Sequence, residues 1–422
     1  NNYAEDLVEY IMYGESFIEP EKELELYGKL LKTISVNDLN KRIKQIYNEN
    51  SLYFLTTSTE QATINDNKLK DIINDAKTSD ISEDFSITPV TLDPINITHG
   101  TITGSEDNNF ILSNGIQVYT KPTDFDNDKI IIKLFKKQGS STDTYEEFIN
   151  SLVAPQVIEL SGPGNLAPKD IETFMKGKNF NLSTYINDYE QGINITSDKE
   201  NLNNALEYMS YLIYYPKVDS SIFENVIEQL QENIKTRENS PRTVFGDEVR
   251  KIYSGNNERR NPLTEKDLDL LSKDNILNEF KSKFGDFSDY KLVIVGSLDG
   301  IDIKGMLEKY FASLPSADTN IIPKSLNLNI PQNSISKKIV KGIDKKATTI
   351  IIFPYNSQYG YEEKILYSGF AEILQIALTE NVREKIGGVY SIAAYTTLSP
   401  ENYGEDKLTI YYSCDTNRVE EV

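Results

Sequence analysis

Histidine and cysteine are nearly absent from this chain of 422 residues, which has one of each, His99 and Cys414, and no tryptophan. A zinc-protease helix must present two imidazoles and a glutamate on one face, as in H-x-x-E-H or its inverse. Catalysis by a Ser-His-Asp or Cys-His set also needs a histidine beside the nucleophile. His99 stands alone in NITHGTI and is interpreted as a surface residue. We therefore expect this chain to hold no metal and to supply no catalytic centre.

Other features that the sequence lacks exclude further kinds of protein. The chain has no run of 18 apolar residues, which argues against a membrane span. A single cysteine excludes an internal disulfide framework. The formal net charge of −21 argues against nucleic acid as a partner, because phosphate binding needs clustered lysine and arginine. The excess carboxylates indicate either a soluble surface or a cavity that prefers basic peptides.

The order of the predicted elements favours an α+β fold. Asn114 and Gly115 separate two apolar runs, a strong hairpin signal, and NLSTYINDYEQGINIT predicts a second hairpin. Amphipathic helices lie between such hairpins, and one is predicted to begin with a capping box from Ser221 to Glu224. Because the hairpins alternate with paired helices rather than with single crossovers, we expect antiparallel sheets packed on helices.

A weak internal repeat suggests how the domains are arranged. The stretch from Ser35 can be laid over the stretch from Ser272 with an offset of 237 residues, and in each an amphipathic helix is predicted to run into a strand. We therefore expect residues 1–57 to be the C-terminal part of one α+β domain, with 58–97 as a linker. Residues 98–316 would form a complete, degenerate domain and 317–422 the N-terminal part of a further one. On this view the chain starts near the end of one copy and stops inside a third.

The most informative stretch is REKIGGVY, residues 383–390. A helix is predicted to end in a left-handed cap at Gly387 and Gly388, with Arg383 in its last turn and Tyr390 at the start of a strand. The residues themselves leave two roles open: Arg383 could complement the helix dipole and Tyr390 could pack in a core, or both could bind a substrate. The predicted helix has an apolar face that includes Phe370, Leu374, Ile376, Ala377 and Ile386.

This motif, with the helix before it and the hairpin after it, resembles the C-terminal half of the pitrilysin/insulinase-type zinc metallopeptidases, the inverzincins. Bacterial periplasmic zinc proteases are the most similar members. Further support comes from the stretches FILSNGIQVYTKPTDFDNDKIIIKLFKKQGSS, ALEYMSYLIYYPKVDSSIFENVIEQL and YKLVIVGSLDGIDIKGMLEKYFASLP. The resemblance covers nearly the whole chain in element order.

The resemblance implies four similar α+β domains in two halves that enclose a peptide chamber. It implies zinc in an N-terminal catalytic half, and an Arg/Tyr pair, here Arg383 and Tyr390, that reaches the peptide substrate from the C-terminal half. Where such proteases carry their zinc helix, this chain has Pro155 and Glu159 at the histidine positions and Ile158 at the position of the catalytic glutamate. This departure implies that the chain alone is inactive.

We therefore expect the C-terminal portion of a zinc-dependent metalloendopeptidase, which contributes substrate binding and transition-state stabilisation but lacks the zinc site. Its partners would be the N-terminal catalytic half, on the same chain or on another subunit, and a peptide. The alternative is a non-catalytic scaffold or peptide-binding subunit of the same fold. The resemblance suggests a periplasmic location, and a cytoplasmic one stays open.

Overall fold

The chain forms two compact units, Asn1–Ser86 and Ile87–Val422. The computed structural model describes residues 3–14, 18–48, 65–78, 90–126, 128–317, 319, 321–326, 328, 330–331, 333–399 and 405–422.

The described residues of the first unit form four helices and the short segments beside them. The helices are α1 (Tyr3–Tyr13), α2 (Pro20–Leu31), α3 (Val36–Asn48) and α4 (Asp66–Thr78). Ser35 and Asp38 cap the start of α3 reciprocally, with the Ser35 amide and hydroxyl donating to the Asp38 carboxylate. Among the side chains described in this unit none is buried, and the predicted apolar stripe of α3, including Leu39 and Ile43, is exposed. The strand predicted for SLYFLTT, residues 51–57, lies outside the described residues.

The second unit begins with a seven-stranded sheet. Its strands are β1 (Ile102–Glu106), β2 (Asn109–Leu112), β3 (Gln117–Pro122), β4 (Lys129–Lys136), β5 (Phe180–Ile186), β6 (Gln191–Asp198) and β7 (Lys291–Gly296). They are arranged in the order β1-β2-β3-β7-β4-β6-β5. The helices of this part are α5 (Tyr145–Ser161), α6 (Pro168–Met175), α7 (Leu202–Tyr214), α8 (Ser220–Arg237), α9 (Pro241–Tyr253), α10 (Glu265–Leu268), α11 (Lys273–Lys283) and α12 (Ile303–Met306).

The predicted hairpins are confirmed, since β2 pairs with β3 and β5 with β6 in antiparallel register. Long-range contacts also stabilise the Asn-Gly turn. The side-chain amide of Asn114 donates to the carbonyl oxygens of Phe311 and Leu314, at 2.8 and 3.1 Å. Gly115 has a φ of 94°, and a Cβ there would lie 2.4 Å from the carbonyl oxygen of Ser288. Only glycine fits this turn without strain.

Two details of the sequence prediction were wrong. The sheet is not wholly antiparallel, because β3 and β7 run parallel. Three other strands and several helices lie between β3 and β7 in the chain, so no tight turn fixes their relative direction. The capping box at Ser221 is absent as well: Asp219 is the N-cap of α8, and its carboxylate accepts from the amides of Ser221 and Ile222. The helix begins at Ser220, before the predicted cap, so its first free amides include those of Ser221 and Ile222, and the Asp219 carboxylate satisfies them.

One face of the sheet packs on helices to form the core. Alternate residues of β4, Ile130, Ile132 and Leu134, are at most 1% exposed. They belong to a continuous buried cluster with apolar residues of α5, α7 and α11. The alternation is the period-two pattern of an antiparallel strand with one buried face.

The rest of the second unit is a smaller α+β layer. Its elements are β8 (Lys346–Pro354), α13 (Tyr361–Leu378), β9 (Val389–Thr397) and β10 (Lys407–Asp415). The strands form an antiparallel sheet in the order β8-β10-β9, and α13 contacts β9. The two sheets lie within residues 102–296 and 346–415, and the predicted division of the chain near residue 316 stays a prediction. Helices α3 and α11 begin 237 residues apart, at Val36 and Lys273, as the predicted repeat requires.

Candidate functional site

Arg383 lies in a π-helical extension of α13. The extension spans Thr379–Ile386, and the side chain of Arg383 is exposed. π-Helical turns are rare, and they occur frequently at functional sites. Gly387 ends the segment with φ 64° and ψ 29°, which confirms the predicted left-handed cap.

Tyr390 occupies a β-bulge at the start of β9. In the pairing with β10, Ser391 lies opposite Ser413, but Val389 lies opposite the next residue, Cys414. Tyr390 is therefore the extra residue of the bulged strand. Bulges redirect a side chain and are over-represented beside active sites. Tyr390 is 62% exposed, so it does not fill a core position.

Gln375 fastens α13 to the edge of β9. Its side-chain amide donates to the carbonyl oxygen of Ile392 at 3.1 Å, and its side-chain oxygen accepts from the amide of Ala394 at 2.6 Å. These bonds fix the strand of Tyr390 against the helix that leads to Arg383. In the described part of the chain, neither the Arg383 guanidinium nor the Tyr390 hydroxyl has a hydrogen bond or an ion pair with another residue. Both polar groups are thus available to a ligand.

Helix α5 occupies the place where the resemblance puts a zinc helix, and its residues do not fit a metal. Ile158 is fully buried in the core, so no group at that position reaches a substrate. Pro155 lies inside the helix and has no metal-binding atom. The carboxylate of Glu159 accepts hydrogen bonds from the amide and the hydroxyl of Thr184, at 2.5 and 2.7 Å, and thereby ties α5 to β5.

A buried ion pair lies near this helix. The Lys283 ammonium contacts the Asp143 carboxylate at 2.5 Å, and both side chains are less than a tenth exposed. The hydroxyl of Ser151 donates to Asp143 at 3.2 Å and lies 3.4 Å from a carboxylate oxygen of Glu279. Burial, together with the nearby charge of Asp143, raises the pKa of Glu279 to about 7. Two carboxylates therefore compete for one lysine, and Glu279, which lacks the direct ion pair, is mainly protonated below about pH 7.

This competition predicts a pH-dependent stability. A carboxyl whose folded pKa is raised stabilises the fold while protonated, and that contribution is lost as the pH rises from about 4.5 to 7. Glu279→Gln mimics the protonated form, so it should stabilise the second unit by about 1–2 kcal/mol at pH 8 and have little effect at pH 5. Urea unfolding at both pH values measures this difference. The exposed Glu228 on α8 provides a matched control, since Glu228→Gln should have the same small effect at either pH. Equal effects of Glu279→Gln at pH 5 and pH 8 would contradict the assignment.

The histidine lies at the surface, as the sequence indicated, and the cysteine is buried. His99 is exposed, and Cys414 is fully buried in β10. Burial raises the pKa of the Cys414 thiol, which keeps it protonated and unreactive. Within the described ranges, no three histidine, cysteine or acidic side chains are grouped closely enough to hold a metal ion.

Comparison with known proteins identifies the class. Residues 275–422, which include Arg383 and Tyr390, match the family described as the peptidase M16 inactive domain. The chain is 23% identical over 321 residues to the probable zinc protease PqqL of Haemophilus influenzae, covering 74% of this chain and 33% of that protein. It is 21% identical over 448 residues to a PQQL-like zinc protease of Arabidopsis thaliana, covering 97% of this chain and 43% of that one.

Solved structures show the same fold. The periplasmic protease PqqL from Escherichia coli superposes with a TM-score of 0.69 at 15% identity, covering 99% of this chain and 47% of that one. Residues 275–422 therefore match the peptidase M16 inactive domain, and the chain is similar in sequence and fold to PqqL zinc proteases. The resemblance stated from the sequence is confirmed. The chain spans about a third to two-fifths of the length of the curated relatives it matches.

Proposed function

We propose that the chain is the substrate-binding C-terminal portion of a zinc-dependent metalloendopeptidase, and that Arg383 and Tyr390 bind the peptide. The observation that carries this proposal is their placement on either side of the Gly387 and Gly388 turn. One lies on a π-helical turn and the other at a β-bulge, and both are exposed. The homology to zinc proteases supports it.

The chemistry of the two groups suits amide hydrolysis. The tetrahedral intermediate carries an oxyanion that needs a pre-positioned donor, and the phenol of Tyr390 is such a donor. The guanidinium of Arg383 can hold a substrate carbonyl by charge-assisted hydrogen bonds. Neither group generates a nucleophilic hydroxide, so that step belongs to a metal site outside this chain.

Zinc is therefore assigned to an N-terminal catalytic half, on the same polypeptide or on a partner subunit. No helix in the described ranges is sufficiently long and apolar to cross a bilayer. The E. coli relative is described as periplasmic, and we propose the same compartment for this protein.

Metal analysis tests whether zinc is bound by the N-terminal half and not by this chain. After dialysis, the 422-residue chain should retain well under one equivalent of zinc and should not cleave casein, because its α5 residues are not zinc ligands. The protein that includes the N-terminal half should bind zinc and lose its activity when the zinc is chelated. A stoichiometric, tightly held zinc in the 422-residue chain would contradict the proposal. A longer protein that binds peptides without hydrolysing them would favour the scaffold alternative.

Arginine 383 offers a second test. In the protein that contains both halves, Arg383→Ala should lower kcat/KM by about 10²-fold, because a charge-assisted contact to the substrate is lost. Lys385→Ala, on the same exposed π-helical segment, is the matched control and should leave kcat/KM near that of wild type. Equal and small effects of the two substitutions would remove Arg383 from the site.

A further inference from the structure

Arg418 follows the last strand of the smaller sheet. It ends a short 3-10 turn, Thr416–Arg418, directly after β10. The carboxylate of Asp415 accepts from the amide of Asn417 at 2.9 Å and so starts this turn. From this turn the side chain of Arg418 reaches the end of the π-helical segment that precedes β9.

The guanidinium of Arg418 caps the C-terminal end of the helix that bears Arg383. Its Nη1 donates to the carbonyl oxygen of Gly387 and its Nη2 to that of Ile386, each at 3.1 Å. The last carbonyls of a helix have no partner within the helix, and a cation there also complements the helix dipole. Arg418 therefore satisfies two main-chain groups of the turn that separates Arg383 from Tyr390.

Glu421 holds the guanidinium in place. Its two carboxylate oxygens accept from Nε and Nη2 of Arg418, at 2.8 and 2.9 Å. A planar guanidinium is suited to this double role, since one edge pairs with a carboxylate while other N–H groups reach the carbonyls. A lysine could not make all these bonds from one position.

Gly388 is needed for this arrangement. A Cβ on Gly388 would lie 2.6 Å from Cζ of Arg418, closer than such atoms approach in proteins. Arg418 therefore lies flat against the main chain of the Gly-Gly turn. Any side chain at this position would displace the guanidinium.

We propose that Arg418 is a positioning residue, which fixes the Gly387 and Gly388 turn and thereby the placement of Tyr390 relative to Arg383. This inference rests on the proposed function of the pair, but the contacts of Arg418 are independent of it. Misplacing a catalytic group by about 1 Å can cost about 10²-fold in rate. When the contacts of Arg418 are lost, Tyr390 should be displaced most, because it follows the turn by two residues and lies in a bulge without a ladder partner.

The first experiment uses the 422-residue chain and measures hydrogen–deuterium exchange of the peptide spanning residues 386–391. Arg418→Ala should speed exchange there, and Gly388→Ala should do the same by displacing the guanidinium. Gly369→Ala is the control, because a Cβ on that residue of α13 meets no atom within 4 Å. Unchanged exchange in Arg418→Ala would overturn the inference.

The second experiment uses the zinc-loaded protein with both halves and an internally quenched peptide that it cleaves. Arg418→Ala and Gly388→Ala should each lower kcat by about 10-fold to 10²-fold with little change in KM. Added to Tyr390→Phe, neither should lower kcat further, because the group that they position has gone. Gly369→Ala should leave kcat unchanged.

The outcomes separate the two proposals. If Tyr390→Phe lowers kcat but Arg418→Ala does not, the positioning role is wrong and the proposed function stands. If Tyr390→Phe has no effect on kcat, the proposed function fails and the positioning role fails with it, whatever the exchange data show. Full additivity of Arg418→Ala and Tyr390→Phe would also overturn the positioning role.

Discussion

Tyr390→Phe, made in the protein that contains both halves, should lower kcat by about 10²–10³-fold, because it removes one donor to the oxyanion. The substitution keeps the ring and deletes only the hydroxyl. Tyr390 is 62% exposed, so its hydroxyl contributes little to folding and the melting temperature should stay near that of wild type. Steady-state kinetics and thermal unfolding, measured on the same preparation, check both parts.

Tyr395 provides the matched control. It lies on the same strand, β9, and is 50% exposed, but it has an ordinary ladder partner, Thr409. Tyr395→Phe should therefore leave both kcat and the melting temperature unchanged. A Tyr390→Phe variant with normal turnover, or one whose slow turnover merely follows a loss of stability, would remove Tyr390 from the catalytic machinery.

Asp286→Asn should destabilise the second unit by about 3–5 kcal/mol, the usual cost of leaving one charge of a buried pair without compensation. Lys136 is 3% exposed, and its ammonium lies 3.7 Å from the Asp286 carboxylate. That carboxylate also accepts from the amides of Ser288, Ala317 and Thr319. It thereby ties the segment after residue 315 to the large sheet.

The pH dependence of this effect has a definite sign. Burial raises the pKa of Asp286, but the hydrogen bonds from Ala317, Thr319 and Ser288 outweigh it and hold the pKa well below its usual range. The carboxylate therefore stabilises the fold above the ordinary aspartate pKa of about 4, and wild type loses this contribution as the pH falls further. Urea unfolding should show a large gap between wild type and variant at pH 7, which narrows below about pH 4.

An exposed ion pair serves as the comparison for Asp286. Glu248 pairs with Lys337 at the surface, and Glu248→Gln should cost less than about 1 kcal/mol. If Asp286→Asn proved as mild as Glu248→Gln, the hydrogen bond from the Lys136 ammonium to the carbonyl oxygen of Thr319, at 3.2 Å, would be enough to satisfy the buried charge.

Local signals predicted much of the fold. The Asn114 and Gly115 turn and the left-handed Gly387 cap were correct, because each depends on the conformational preferences of one or two residues. The parallel contact of β3 with β7 could not be predicted in this way, since it depends on where a long excursion of helices returns the chain. Periodicity identified the apolar face of α13, but it could not tell whether other residues pack against that face. In the structure Phe370 and Ile376 are 51% and 53% exposed.

Only part of the candidate site could be predicted from the sequence. The spacing and the Gly-Gly turn pointed to Arg383 and Tyr390. The residues that hold them were missed because their signal is not local: Gln375 bonds to β9 across the helix–strand packing, and Arg418 acts from beyond the end of β10. The β-bulge at Tyr390 was also missed, because it is a property of strand pairing and not of the tyrosine itself.

The hydrogen bonds from Thr184 to Glu159 have a consequence for protein engineering. Grafting histidines onto positions 155 and 159 of α5 would remove the carboxylate that now satisfies the Thr184 amide and hydroxyl. A glutamate at position 158 would place a charge inside the apolar core. Building a metal centre on α5 would therefore require redesign of β5 and of the surrounding core together with the three grafted positions. A few substitutions in the helix alone would not suffice.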